Sequence, residues 1–230
     1  MSQGGEDRAI SAADRKAIVD SVSALLERMY VFPEKAKATA KQLRQNLKSG
    51  QYDTLATIFG FSERLTADMR EVTSDGHLWV EPADQPPVGR QDSVSPEKSR
   101  RLRFEYGKSV NFGVRKVEIL PGNIGLLDLH GFYEADIAGP TAIAAMNLLA
   151  NCDAVIIDLR QNGGGDPSMI QLLTGYFFNQ SVHLNSFYSR LTDSITQFWT
   201  QSQVSGPRLA NTPLYVQTSQ HSFSAAEEFV

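Results

Sequence analysis

The sequence predicts a mixed α/β (α+β) fold, in which an N-terminal helical bundle precedes a core of parallel strands and helices. Apolar residues recur at helical spacing between residues 12 and 72. The unbroken apolar run at 154–157 is typical of a strand buried on both faces, and residues 124–129 predict a further buried strand. A helical pattern joins these two strands, and a strand–helix–strand unit normally has parallel pairing and a right-handed crossover. We therefore divide the chain into a helical domain (1–75), a connecting segment (76–116) and an α/β core (117–230).

The composition restricts the function classes. The sequence of 230 residues is 41% hydrophobic and has a net charge of −4. Because it is acidic and has no long run of basic residues, a nucleic-acid-binding surface is not expected. One cysteine, Cys152, and four histidines give no disulfide and no metal-ligand spacing, so we expect neither a metal nor a cofactor. No secretory leader and no run of about 20 apolar residues is present. The compartment is therefore cytoplasmic by default, with export (periplasmic or secreted) as the alternative if a signal was removed.

The helical domain is predicted from its capping signals. Ser11 and Asp14 have the spacing of a capping box ahead of the first apolar stripe. Pro33 is suited to the first turn of a second helix, and Ser62 is placed to cap a third. These three helices form the predicted bundle.

The connecting segment is predicted to contain a loop and strands. Residues 81–99 carry four prolines among polar residues, which is typical of an irregular loop. Between 103 and 120, apolar residues such as Phe104 and Tyr106 alternate with polar ones, which predicts one or two strands. Another strand is expected at 183–188. The polar stretch 185–207, which overlaps this strand, carries Phe187, Tyr188 and Trp199, which form either one wall of a binding cleft or a loop anchored by its own aromatic residues.

Two loops of the core carry the candidate chemistry. Ser224 follows a short buried strand and a polar turn and stands at the start of a helix, so it is either a nucleophile or a helix cap. Gly163–Gly165 follow the strand at 154–157 and precede Pro167. Glycines at such a turn can present bare N–H groups to an oxyanion. If both loops follow adjacent parallel strands, they meet at one edge of the sheet.

The two loops carry motifs of a known family. The motifs are Asp158-Leu159-Arg160-Gln161-Asn162-Gly163-Gly164-Gly165 and Ser222-Phe223-Ser224-Ala225-Ala226-Glu227. They resemble the Asp-Leu-Arg-x-Asn-Gly-Gly-Gly and Thr/Ser-x-Ser-Ala-x-Glu elements of the tail-specific (C-terminal-processing) serine peptidases, a family that includes the tricorn protease core and the interphotoreceptor retinoid-binding protein modules. The chain resembles the last branch most. The resemblance implies the spiral core of the Clp protease and crotonase folds.

The resemblance also implies site roles. Ser224 is the expected nucleophile, and the N–H of Ala225, with that of Gly164 or Gly165, forms the expected oxyanion hole. Asp75-Gly76-His77 resembles the element from which tricorn draws its catalytic histidine, which makes His77 the candidate general base. The alternative for His77 is a turn histidine bonded to Asp75. The segment after His77 is too short for the PDZ module of tail-specific peptidases.

Three function classes remain open at the sequence level. The first is a serine endopeptidase that acts on unstructured polypeptides or C-terminal segments. The second is a non-catalytic carrier of retinoid-like or fatty-acid-like apolar ligands, which uses the same cleft. The third is a scaffold that has kept only the fold. Because the sequence ends at Val230, before the expected position of a downstream lysine or glutamate, we expect a core truncated at its C-terminus, low peptidase activity, and either a longer natural chain or a homo-oligomer that covers the open edge.

Overall fold

The computed structural model describes residues 7–82 and 95–230. It contains two compact units. The helical unit comprises Met1–Ser93 with Tyr188–Ile195, and the sheet unit comprises Val94–Phe187 with Thr196–Val230. The helices come first and a mixed sheet follows, which confirms the predicted α/β fold class. Within the two described ranges, no helix combines the length and the apolarity needed to cross a bilayer.

Three helices make up most of the helical unit: α1 (Ala12–Met29), α2 (Pro33–Lys48) and α3 (Ile58–Thr73). The Ser11 side chain accepts a hydrogen bond from the Asp14 N–H at 3.1 Å, and the Asp14 carboxylate accepts one from the Ser11 N–H at 3.1 Å, which confirms the capping box. The prediction for α3 was wrong by about one turn. Thr57 caps it, because Ile58 already packs into the core, and Ser62 is buried inside the helix.

The remaining elements lie in the sheet unit, apart from the hairpin residues Tyr188–Ile195, which belong to the helical unit. They are α4 (Pro96–Ser109), β1 (Val114–Leu120), β2 (Ile124–Leu129), α5 (Ala135–Leu148), β3 (Ala154–Asp158), α6 (Pro167–Gly175), β4 (His183–Ser189), β5 (Ser194–Trp199), β6 (Leu214–Gln217) and α7 (Ala225–Glu228). The main sheet has the order β1-β2-β3-β6. β1 is antiparallel to β2, whereas β2, β3 and β6 are parallel. The carboxyl ends of these three strands therefore lie at one edge.

Residues from all layers of the sheet unit form its core. Leu127, Val155 and Ile157 on the strands pack with Met146 of α5 and Leu173 of α6, and each is at most 1% exposed. This close packing fixes the strands whose carboxyl ends carry the candidate site.

The connecting segment differs from its prediction. Residues 96–109 form helix α4 and not a strand, while β1 begins only at Val114. The Ser95 side chain accepts a hydrogen bond from the Lys98 N–H at 3.2 Å, and Pro96 occupies the first turn, where its missing N–H costs nothing. Tyr106 is 60% exposed, so the alternation of apolar residues did not mark a buried strand face. The part of the predicted loop at 83–94 lies outside the described residues.

The polar stretch after residue 182 forms a hairpin. β4 confirms the strand expected at 183–188, and β5 pairs with it in a separate two-stranded sheet. The rings of Phe187 and Phe198 are 4.8 Å apart, and those of His183 and Trp199 are 4.9 Å apart. The aromatic residues of the hairpin therefore contact one another across its two strands.

Candidate active site

Ser224 occupies a strained turn between β6 and α7. Its backbone has φ 56° and ψ −116°, a region that residues with a side chain rarely adopt. The helix that follows is anchored, because Ala225 and Ala226 are buried and the rings of Phe229 and Phe132 lie 5.8 Å apart. Ser224 itself is only partly buried. A strained strand-to-helix turn of this kind also exposes the nucleophilic serine of α/β-hydrolases.

Three hydrogen bonds join the Ser224 loop to the loop after β3. The Ser222 hydroxyl donates to the Leu159 carbonyl at 2.8 Å, and the Ser219 hydroxyl donates to the Arg160 carbonyl at 2.6 Å. In addition, the Phe223 N–H donates to the Asn162 carbonyl at 3.2 Å. Both loops extend from neighbouring parallel strands, so their positions are set by the sheet. Ser222, the first residue of the second motif, is thus one of the residues that join the two loops.

Gly164 is the point at which the glycine loop meets the nucleophile candidate. A Cβ atom at this position would lie 2.6 Å from the Phe223 carbonyl oxygen, 2.9 Å from the Ser224 Cβ and 3.1 Å from the Ala225 nitrogen. Its φ of +98° is also unfavourable for any residue with a side chain. Gly165, at φ +143°, is restricted in the same way, since its Cβ would lie 2.0 Å from the Phe132 carbonyl oxygen. The structure thus brings Ser224, Ala225 and Gly164 together.

The backbone N–H groups of this region differ in availability. The Gly164 N–H donates to the Asn162 side-chain oxygen at 2.8 Å. The N–H groups of Gly165 and Ala225 have no acceptor within residues 7–82 and 95–230. Of the three predicted oxyanion donors, the N–H groups of Gly165 and Ala225 are therefore the two that could donate a hydrogen bond to a ligand oxygen in this conformation.

Asn162 is a functional candidate that the sequence analysis missed. It is fully buried, and its side-chain amide donates to the Leu129 carbonyl at 3.0 Å while its oxygen accepts from Gly164. Its carbonyl also accepts from Phe223. The Asn162 side chain thus links the end of β2 to the glycine loop, and its main-chain carbonyl adds the contact with the Ser224 loop. The position of an asparagine directly before three glycines was the available signal, since asparagine often bonds to the backbone of its own turn.

His77 belongs to the helical unit, where Asp75 fixes it. Asp75 Oδ1 accepts the His77 N–H at 2.9 Å and lies 3.2 Å from His77 Nδ1, while the Tyr30 hydroxyl donates to Asp75 Oδ2 at 3.0 Å. Burial pulls the pKa of Asp75 upward, but the hydrogen bonds from His77 and Tyr30 outweigh it and hold that pKa below its ordinary value. The Asp75 contact agrees with the turn-histidine alternative, and it equally suits a base whose Nδ1 is held by a carboxylate.

A cavity of about 660 Å³ adjoins the glycine loop. Its walls are Arg103, Tyr106, Val110, Gly113, Arg115, His130, Gly131, Phe132, Tyr133, Glu134, Gly163, Gly164, Gly165 and Asp166. The aromatic residues predicted as a cleft wall, Phe187, Tyr188 and Trp199, are not among them. They are 41–49% exposed on the hairpin described above. The cavity wall is formed instead by α4 and by the segment after β2.

His130 is a second histidine that the sequence analysis passed over. It follows β2, lines the cavity, and its Nε2 lies 3.1 Å from Asp128 Oδ1. The described part of the chain contains no group of three His, Cys, Asp or Glu residues that could hold a metal ion. Cys152 is buried, and burial raises the pKa of its thiol, so it lacks the properties of a reactive cysteine.

Comparisons with known proteins give one consistent family. A model of peptidase family S41 matches residues 123–230, and a model of the N-terminal domain of peptidase S41 in eukaryotic IRBP matches residues 11–106. Among solved structures, a candidate peptidase from Parabacteroides merdae is 16% identical with a TM-score of 0.52, over 96% of this chain and 71% of that one. This likeness supports the fold.

Two further solved structures are similar over about half of the chain. A candidate S41 protease from Bacteroides fragilis is 23% identical with a TM-score of 0.40, over 51% of this chain and 34% of that one. The photosystem II D1 C-terminal processing protease is 19% identical with a TM-score of 0.38, over 51% of this chain and 30% of that one.

Proposed function

Because the chain belongs to peptidase family S41, we propose that it is a serine peptidase in which Ser224 is the nucleophile. The observation that carries the proposal is the strained turn at Ser224, packed directly against Gly164. A non-glycine residue with positive φ costs on the order of 1–3 kcal/mol, and such strain is concentrated at functional sites. Ser224 is also the N-cap of α7, and its N–H donates to Glu227 Oε2 at 2.9 Å, as the helix-cap alternative expects. A cap alone does not require this conformation, since N-caps typically have extended backbone angles.

The proposed reaction is acyl transfer from a peptide bond. The Ser224 hydroxyl oxygen attacks the carbonyl carbon, and the carbonyl oxygen takes up the negative charge of the tetrahedral intermediate. The N–H groups of Ala225 and Gly165 are the proposed donors to that oxygen, because the Gly164 N–H is held by Asn162. Removing one such donor typically slows catalysis by roughly 10²- to 10³-fold.

His77 is the proposed general base. Its Nδ1 lies against Asp75, which favours the tautomer with a proton on Nδ1 and a lone pair on Nε2. In this proposal, Nε2 takes the Ser224 proton as the hydroxyl attacks and later gives it to the leaving amine. Asp75 orients the ring and stabilises its charged form, the part that the carboxylate has in a Ser-His-Asp triad.

Variants of Ser224 and His77 test the proposal. We expect Ser224→Ala and His77→Gln each to lower casein cleavage on the order of 10⁴-fold, because the hydroxyl is a weak nucleophile without its base. Ser181→Ala, which changes an exposed serine of the sheet unit that also contains Ser224, is the matched control and is expected to keep full activity. Cleavage that persists in Ser224→Ala would contradict the assignment. Cleavage that is lost in Ser224→Ala but kept in His77→Gln would contradict the role of His77 as general base and leave the role of Ser224 as nucleophile intact.

A second candidate function has an observation of its own. An apolar groove of about 440 Å³ opens in the helical unit, separate from the predicted aromatic cleft. Its walls are Val22, Leu25, Leu26, Met29, Tyr30, Met69, Leu78, Trp79 and Val80. Such a volume and lining suit a small apolar ligand. Quenching of Trp79 fluorescence by a fatty acid, absent in Trp79→Phe, would favour a ligand carrier, whereas no saturable quenching would exclude it for that ligand.

A further inference from the structure

Arg115 stands out in the sheet unit because of a β-bulge. Val114 pairs with Leu129 and Lys116 pairs with Asp128, so Arg115 is an extra residue with no partner on β2. A bulge of this kind bends the strand and re-aims one side chain, and bulges are frequent beside active sites. Here the re-aimed residue lines the cavity that also contains Gly163–Gly165.

The bulge is fixed close to the glycine loop by backbone contacts. The His130 N–H donates to the Gly113 carbonyl at 2.8 Å, directly before the bulge. Two residues further on, the Phe132 N–H donates to the Gly164 carbonyl at 2.9 Å. Gly164 in turn packs against Ser224. A short series of backbone contacts therefore connects the bulge with the loop of the proposed nucleophile.

Arg115 is also the cation of this cavity that lacks a counter-ion. Arg103 forms an ion pair with Glu134 at 2.7 Å. The Asp166 carboxylate accepts hydrogen bonds from the N–H and the hydroxyl of Ser168 at 2.9 Å and 2.5 Å. No ion pair joins Arg115 to a carboxylate in the described ranges, although the cavity wall holds two carboxylates, Glu134 and Asp166, for its two arginines. The Arg115 guanidinium next to the glycine loop is therefore available to pair with a carboxylate of a ligand.

We propose that Arg115 binds a carboxylate of the peptide substrate and so determines specificity at this site. The inference rests on the proposed peptidase function. A guanidinium group matches a carboxylate with two parallel hydrogen bonds, which gives both affinity and orientation. The carboxylate comes either from the free C-terminus of the substrate or from an aspartate or glutamate near the scissile bond, and the two sources share this chemistry.

Peptide binding to the Ser224→Ala protein tests the inference without depending on turnover. The probes are three N-terminally labelled peptides of one sequence: a C-terminal acid without acidic side chains, the matching C-terminal amide, and an amide with one internal glutamate. In fluorescence anisotropy we expect the acid, the glutamate peptide or both to bind roughly 10- to 100-fold more tightly than the plain amide, as for a hydrogen bond to a charged group. Tighter binding of the C-terminal acid would identify the free C-terminus as the source of the carboxylate, and tighter binding of the glutamate peptide would identify an acidic side chain.

Variants separate Arg115 from general charge effects. Arg115→Gln is expected to abolish the preference for a carboxylate, and Arg115→Lys to restore part of it. Arg101→Gln, which removes an exposed cation of α4 outside the cavity wall, is the matched control and should leave the preference intact. Circular dichroism checks that the variants are folded.

The outcomes distinguish the two proposals. Equal binding of all three peptides, no binding of any of them, or an unchanged preference in Arg115→Gln would overturn the role of Arg115. Carboxylate-dependent binding combined with no Ser224-dependent cleavage by the unmodified protein would support the role of Arg115 and refute the peptidase chemistry. If acid and amide peptides bind equally well and are cleaved at equal rates, the proposed peptidase function stands and the proposed carboxylate site at Arg115 is refuted.

Discussion

Gly164→Ala is the most direct perturbation of the proposed site. The added methyl group would lie 2.6 Å from the Phe223 carbonyl oxygen and 2.9 Å from the Ser224 Cβ, so the two loops would have to separate. The φ of +98° adds strain of about 1–3 kcal/mol, and the overpacking adds about 1–3 kcal/mol. The expected loss is therefore roughly 2–6 kcal/mol, a large part of the 5–15 kcal/mol that holds a typical domain together.

The effect on catalysis follows from the same contact. Relief of the clash displaces Ser224, and a displacement of about 1 Å can slow an enzyme on the order of 10²-fold. Urea unfolding gives the change in stability, and kcat/KM, corrected for the folded fraction, gives the catalytic effect. Labelling of Ser224 with a fluorophosphonate reports nucleophile geometry independently of substrate.

Gly163→Ala is the matched control within the same loop. A Cβ atom at position 163 meets no atom within 4 Å, so this variant should stay within about 0.5 kcal/mol of the unmodified protein and keep its activity. If the two alanine variants are indistinguishable in stability and in kcat/KM, the argument that Gly164 positions Ser224 fails.

Two predictions concern stability. Tyr52→Phe removes the hydroxyl that donates to buried Asp68 at 2.6 Å, so urea unfolding should show a loss of about 1–3 kcal/mol; a neutral result would mean that the bond contributes nothing. Glu228 has a buried oxygen with no partner in the described ranges, and burial raises its pKa. Its contribution to stability is then full below a pH of about 4.3 and is lost as the pH rises through the raised pKa. Glu228→Gln should therefore raise the Tm at pH 7 but leave it almost unchanged near pH 4, and an equal difference at both pH values would contradict this.

Much of the fold could be predicted because its signals are local or periodic. The capping box at Ser11 and the first-turn prolines at positions 33 and 167 each mark a helix start through interactions within a few residues of the chain. The approach of the Ser224 loop to the glycine loop could also be foreseen. Both loops follow buried strands, and parallel strands end at a common edge.

Features that depend on packing could not be predicted. Phe104 and Tyr106 alternate with polar residues as in a strand, yet Ser95 and Pro96 begin a helix there. Tertiary contacts decide between the strand period of about two residues and the helical period of about 3.6. The bulge at Arg115 depends on pairing with a distant strand and leaves no local signal. For Asn162, the sequence signal covers only its bond to Gly164 within the same turn, whereas its bonds to Leu129 and Phe223 depend on packing.

The three hydrogen bonds between the Ser219–Phe223 turn and the Leu159–Asn162 turn also bear on the order of folding. Their partners are far apart along the chain, so closing the intervening loop costs entropy that only the assembled sheet repays. The ribosome synthesises the Leu159 segment before the Ser224 segment, so the hydrogen bonds between the two turns cannot form until both have been synthesised. The backbone conformation of Ser224 therefore depends on contacts that form only once these two turns have met.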